Sequence, residues 1–159
     1  MILVIGYGNT LCGDDGLGPY AVEQLQDAES LPGAEYLTRH QLAPELAEDI
    51  SRADAVIFVD ASDGGGIPGE ITCQEIILPD VSSPVAPGAF THHVNVTILL
   101  ENARLLYRAR PTAWLYTVAG ENFGLGDAFS PAVAEAIPLL LAQLQERIKE
   151  FSHREHRAL

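Results

Sequence analysis

The residues best suited to chemistry fall in three places along this chain. The first is the loop Gly6-Tyr7-Gly8-Asn9-Thr10-Leu11-Cys12-Gly13-Asp14-Asp15-Gly16-Leu17-Gly18, directly after the apolar run Ile2-Leu3-Val4-Ile5. A glycine-rich turn between a strand and a helix ordinarily holds a phosphate, because free N–H groups and the positive dipole end face it. Two carboxylates inside this turn reverse the preference, repelling a pyrophosphate and attracting a cation. Asp15 lies just past the first strand, and Asp60 ends the apolar run Ala55-Val56-Ile57-Phe58-Val59. His92 and His93 occur in Phe90-Thr91-His92-His93, the connection into a helical segment. Two carboxylates and one imidazole form an open site for a borderline divalent ion such as nickel or zinc. Three protein ligands leave positions for water or a substrate group, as a catalytic metal requires.

Each residue also has an ordinary alternative role. An aspartate in a glycine-rich turn commonly forms the turn or caps a helix, and Asp60 could cap the segment that follows it. A histidine near a helix start is commonly solvated or hydrogen-bonded, and one of the adjacent pair must be. Against this, a carboxylate at the end of a buried strand is costly unless it has a partner. His40, His153 and His156 receive no role, the last two as tail residues. No HExxH or CxxC cluster anchors the site. A dinucleotide fold is the competing reading of the loop, but Leu11 stands where the third glycine of GxGxxG belongs. Thr38-Arg39-His40 replaces the acidic residue expected after the second strand. Cys12 and Cys73 have no redox or metal spacing and read as reduced thiols.

The elements that must position these residues alternate between strand and helix. After the first strand come a helix over Pro19 to Gln26, a short strand Glu35–Thr38 and a short helix Pro44–Ile50. Ala55–Val59 reads as a central strand covered on both faces. Gly64–Gly69 is a turn, and Glu70–Ile76 alternates partly, as an edge strand that could run antiparallel. Pro79–Gly88 is a loop. Val96, Leu99, Leu100, Ala103, Leu106 and Tyr107 recur at helical spacing, closed by Pro111. Ala113–Val118 is the last strand, and Ser130-Pro131 starts a last helix with a capping serine and a first-turn proline. Val133, Ile137, Leu140, Leu141, Leu144 and Ile148 make its apolar stripe, with Pro138 expected to kink or restart it. The fold class is therefore α/β: a three-layer sandwich with a mostly parallel sheet of about five strands and helices on both faces. Residues 1–151 form one domain and 152–159 a polar tail. In such sheets the functional crevice lies beyond the carboxyl ends of the strands, where Asp15, Asp60 and the histidine pair could all converge.

Composition narrows the function classes. The 159 residues are 47% hydrophobic and 19% charged, as in an ordinary folded domain. A net charge of -13 argues against a nucleic-acid partner, which needs a basic face. The chain opens directly into a strand without a basic region or cleavage site, and the apolar run near Ile137 is too short to span a membrane. The expectation is a cytoplasmic monomer without membrane contact. A Ser-His-Asp order with a strained nucleophile turn is missing, and Cys12 has no obvious His partner in sequence. Metal-based hydrolysis fits better: an ion polarises the scissile carbonyl and lowers the pKa of bound water towards ~7.

At this point the motifs resemble a known family. The loop Gly8 to Gly18 closely resembles the signature of the nickel–iron (NiFe) hydrogenase maturation endopeptidases. Further matches are Ala43-Pro44-Glu45-Leu46, Val59-Asp60-Ala61-Ser62 followed by Pro68-Gly69-Glu70, Thr91-His92 before a helix, Gly124, and Phe129-Ser130-Pro131. The likeness covers nearly the whole chain. It implies an endopeptidase that removes a short C-terminal peptide from the hydrogenase large-subunit precursor once nickel is inserted. It places the metal-contacting, catalytic groups on Asp15, Asp60 and His92, the last by its distance to Leu99 and Leu100. Many relatives carry Glu where this chain has Asp15, one methylene shorter. The resemblance further implies that the nickel belongs to the substrate, with none held tightly by the isolated protein. Two alternatives stand beside it: a nickel-binding chaperone that cuts nothing, and a self-contained metallohydrolase.

Overall fold

The computed structural model describes residues 1–28, 31–79 and 91–157, with backbone alone for 91–94 and 156. Five strands form one sheet: β1 (Ile2–Tyr7), β2 (Ala34–Arg39), β3 (Ala55–Ser62), β4 (Ile71–Glu75) and β5 (Thr112–Ala119). Four helices cover it: α1 (Leu17–Asp27), α2 (Leu46–Ser51), α3 (Thr91–Tyr107) and α4 (Pro131–Arg157). The strand order is β2-β1-β3-β5-β4, parallel throughout except for β4, which pairs antiparallel with β5. This is the three-layer α/β sandwich expected from the alternating pattern.

Period-two alternation along the strands sorts side chains into two cores. On one face Ile2, Val4, Ile57, Val59 and Tyr116 pack against α1 and the α4 stripe of Val133, Ile137, Leu140, Leu144 and Ile148. On the other, Leu3, Ile5, Tyr7, Val56, Phe58 and Leu115 meet Leu46 and Ile50 of α2 and Val96, Leu99 and Leu100 of α3. Fully burying such a side chain is worth about 1.5–3 kcal/mol, which is why β1 and the Ala55–Val59 part of β3, covered on both faces, carry apolar residues in succession. The first turn of α1 presses close to the sheet: a Cβ on Gly18 would run into the carbonyl oxygens of Val59 and Tyr7.

Several boundaries differ from expectation. β3 continues past Asp60 through Ala61 and Ser62, with Asp60 opposite Thr117 of β5, so the carboxylate lies inside the strand. α3 begins at Thr91, five residues before its first stripe residue, Val96. The buried part of its apolar stripe stops at Ala103, with Leu106 (70% exposed) and Tyr107 (47%) open to solvent. α4 runs unbroken through Pro138. Pro138 stands on the exposed face, where the carbonyl left without its N–H partner can face solvent, while the buried stripe continues on either side of it. The helix continues to Arg157, into the segment expected to be a polar tail. Residues 80–88 of the expected 79–88 loop lie outside the described residues. Among the described residues no helix is long and apolar enough to cross a membrane.

Connectivity decides where each site residue falls. The end of α3 leads through residues 108–111 into the start of β5, so α3 runs antiparallel to the parallel strands. Its first turn, with His92 and His93, therefore stands at the carboxyl edge of the sheet, on the α2/α3 face.

Candidate active site

The loop after β1 turns sharply because Gly8 adopts φ 145, a conformation that side chains disfavour. A Cβ at Gly8 would also collide with the Asp15 carbonyl oxygen. The turn brings Asp15 back over the strand end, where Asn9 N–H donates to Asp15 Oδ2 at 2.7 Å. Leu11 N–H donates to Asn9 Oδ1 at 2.9 Å, stiffening the same turn. Asp15 is half-buried. One of its oxygens thus serves the turn, the ordinary role of an aspartate in such a loop, and the tether fixes the carboxylate while leaving a second oxygen. The single 3-10 turn that carries it, Gly13–Gly16, packs against β3.

Asp60 is 4% exposed. It shares the strand face of Val56 and Phe58, so its carboxylate points to the α2/α3 side, the side of Tyr7 on neighbouring β1. Burial, and then the negative charge of Asp60, push the Tyr7 phenol well above its usual pKa. The pair marks a low-dielectric pocket in which a carboxylate attracts a cation far more strongly than it would in water.

Asp14 does something different from its neighbour. It is fully buried and accepts hydrogen bonds from Glu121 N–H (2.8 Å), Asn122 N–H (2.9 Å), Ser130 N–H (2.8 Å) and Ser130 Oγ (2.9 Å). It ties the loop after β1 to the loop between β5 and α4. Ser130, read from sequence as a helix cap, gives its hydroxyl to Asp14 instead. Its partners lie 107 to 116 residues away, beyond any spacing rule. Burial works to raise the Asp14 pKa, yet these hydrogen bonds together hold it below the usual carboxylate range. A depressed folded-state pKa contributes stability that is present above the unfolded carboxyl value and is lost as pH falls through the folded one. The thermal midpoint should therefore drop as pH is lowered below about 4. Asp14→Asn should start from a lower midpoint at neutral pH and show a shallower acid slope, both read by circular dichroism.

The other singled-out residues disperse. His40 and His153 are exposed and Cys12 is half-buried in the loop. Cys73 is exposed on β4, opposite Tyr116. Among the described residues no three His, Cys, Asp or Glu side chains are grouped to hold a metal. The side chains of His92 and His93 lie outside that description, so the expected third ligand is located only by its backbone, in the first turn of α3. Asp15 and Asp60 both fall at the carboxyl edge of adjacent strands, and that turn reaches the same edge.

Comparison with known proteins agrees with this architecture. No family model matches the chain. The hydrogenase expression/formation protein HupD of Rhodobacter capsulatus is 26% identical over 155 residues, spanning 94% of this chain and 72% of HupD. The hydrogenase maturating endopeptidase HybD of E. coli superposes with a TM-score of 0.77 at 25% identity, covering 94% of this chain and 92% of HybD. The nickel–iron hydrogenase maturation protease HycI of Thermococcus kodakarensis gives a TM-score of 0.69 at 22% identity, over 93% and 92% of the two chains, and supports the fold. The glycine-rich loop, the five-stranded sheet and these relatives together make the chain similar in sequence and fold to the hydrogenase maturation endopeptidases.

Proposed function

We propose that this chain removes a short C-terminal peptide from the nickel-loaded precursor of a NiFe-hydrogenase large subunit. Asp15, Asp60 and His92 would enter the coordination sphere of the substrate's own nickel. The observation that carries this reading is the meeting of the Asp15 loop with β3, the strand holding Asp60 in a buried pocket beside Tyr7. The names of the relatives, maturation proteases of hydrogenases, support the same substrate class.

The chain's own residues divide the work. Asp60 supplies a carboxylate with little water around it, in a setting that favours a divalent cation. Asp15 is oriented by the Asn9 N–H, and His92 is the neutral nitrogen donor suited to nickel. A divalent ion in that position polarises a carbonyl and acidifies water. Because the nickel comes with the substrate, the protease reads whether the metal has been inserted before it cuts.

The expected result is that nickel-loaded precursor loses a C-terminal peptide on incubation with the protein, while rigorously nickel-free precursor keeps its full mass. Intact mass spectrometry reads both. Efficient cutting of the nickel-free form would point to a self-contained hydrolase, and an unchanged nickel-loaded form to a binder that does not cut.

A further inference from the structure

We infer that a groove beside the glycine-rich loop docks a basic, partly apolar segment of the precursor, with an arginine or lysine side chain entering it. This rests on the function proposed above and extends it to how the substrate is held. The groove has a volume of about 220 Å³ and lies between the loop after β1, α1 and the loop before α4. Tyr20 and Phe129 form its aromatic wall, their rings meeting edge-on with centroids 5.2 Å apart at 68°. Glu23 and Asp127, both exposed, stand on its rim. Aromatic rings with carboxylates beyond them match the stem and the head of a long cationic side chain.

The surroundings favour the same partner. The loops 8–16, 63–70 and 120–130 carry two acidic residues each and no Lys or Arg. They lie at the carboxyl edge, where the exposed carboxylates of Asp63, Glu70, Glu121 and Asp127 outnumber the cation nearby, Arg39 of the adjoining groove that shares Thr10 and Glu23. The two loops that border the groove also carry exposed leucines: Leu11, 66% exposed, and Leu125, 94% exposed. They do not dangle. Gly126 N–H donates to the Leu11 carbonyl and Gly13 N–H to the Gly126 carbonyl, each at 2.8 Å, and Asp14 clamps both loops from beneath. Apolar side chains held outward on ordered backbone, inside an acidic rim, suit a partner segment that carries its own apolar residues beside its charge.

The test compares wild type with the Glu23→Gln/Asp127→Asn double variant and with Leu125→Ser, all at exposed positions. Nickel-loaded large-subunit precursor is the substrate, cleavage is followed by intact mass, and binding is followed separately with fluorescently labelled precursor. The double variant should raise KM on the order of tenfold with kcat unchanged, and Leu125→Ser about fivefold. Raising salt from about 0.05 to 0.5 M should raise the wild-type KM and barely move that of the double variant. Equal KM and equal binding for wild type and double variant would overturn the groove assignment, as would a loss confined to kcat. Wild type that binds precursor more tightly than the double variant yet leaves its mass unchanged would instead contradict the protease reading and keep the groove.

Discussion

Asp60→Asn should lower kcat/KM for nickel-loaded precursor by about 10³-fold or more, the scale seen when a group acting directly on the reacting centre is removed. The substitution keeps the size of the side chain and removes its charge. Beside Tyr7 the neutral amide no longer draws a cation, and its uncharged carbonyl oxygen is a much weaker ligand than a carboxylate. Stability should change by only about 1 kcal/mol, because a buried charge contributes little net stability when a neutral group of the same shape replaces it. The Tyr7 phenol, released from the Asp60 charge, should titrate at lower pH than in wild type, although burial, the larger cause, keeps it elevated. A kinetic collapse without unfolding separates a direct role from a structural one. Loss of activity in step with loss of folded protein would remove the role assigned to Asp60.

Asp14→Ala should do the reverse and strongly destabilise the fold while leaving Asp15 and Asp60 in place. It leaves three backbone N–H groups and the Ser130 hydroxyl without their acceptor, two of them in the buried Ser130 pair. An orphaned buried donor costs about 1–3 kcal/mol, and breaking a buried charged network about 3–5 kcal/mol. Against a typical total of about 5–15 kcal/mol, a loss near 4 kcal/mol leaves a marginal fold, measured as a lower urea midpoint. Ser130→Ala removes one donor and leaves the carboxylate three, so its cost should be nearer 1 kcal/mol. Hydrogen exchange should rise first in residues 120–130, since Asp14 ties that loop to the one carrying Asp15.

The two aspartates show what can be read from a sequence and what cannot. The apolar runs of β1 and β3 announce strands buried on both faces, and the glycine-rich loop announces a sharp turn at a strand end. Those features are local. The division of labour between Asp14 and Asp15 is not, because the donors that claim Asp14 arrive from the other side of the chain. Nor do apolar patterns reveal where an element stops: Asp60 sits inside β3 because backbone pairing with β5 continues past the apolar stretch. The first turn of α3 has no stripe to announce it, since Thr91-His92-His93 carries polar side chains. Leu106 and Tyr107 keep the helical rhythm yet are exposed, which periodicity alone does not reveal. Pro138 reads as a breaker from its missing N–H alone, yet α4 continues through it.

The most direct measurement is an anomalous-difference map at the nickel edge from crystals of this protein soaked in nickel. One peak should appear at the carboxyl edge of the sheet, bonded at about 2.0–2.2 Å to oxygens of Asp15 and Asp60 and to an imidazole nitrogen of His92. A peak bound instead through His40, His153 or Cys73, or Asp15 and Asp60 coordinating different ions, would contradict the account.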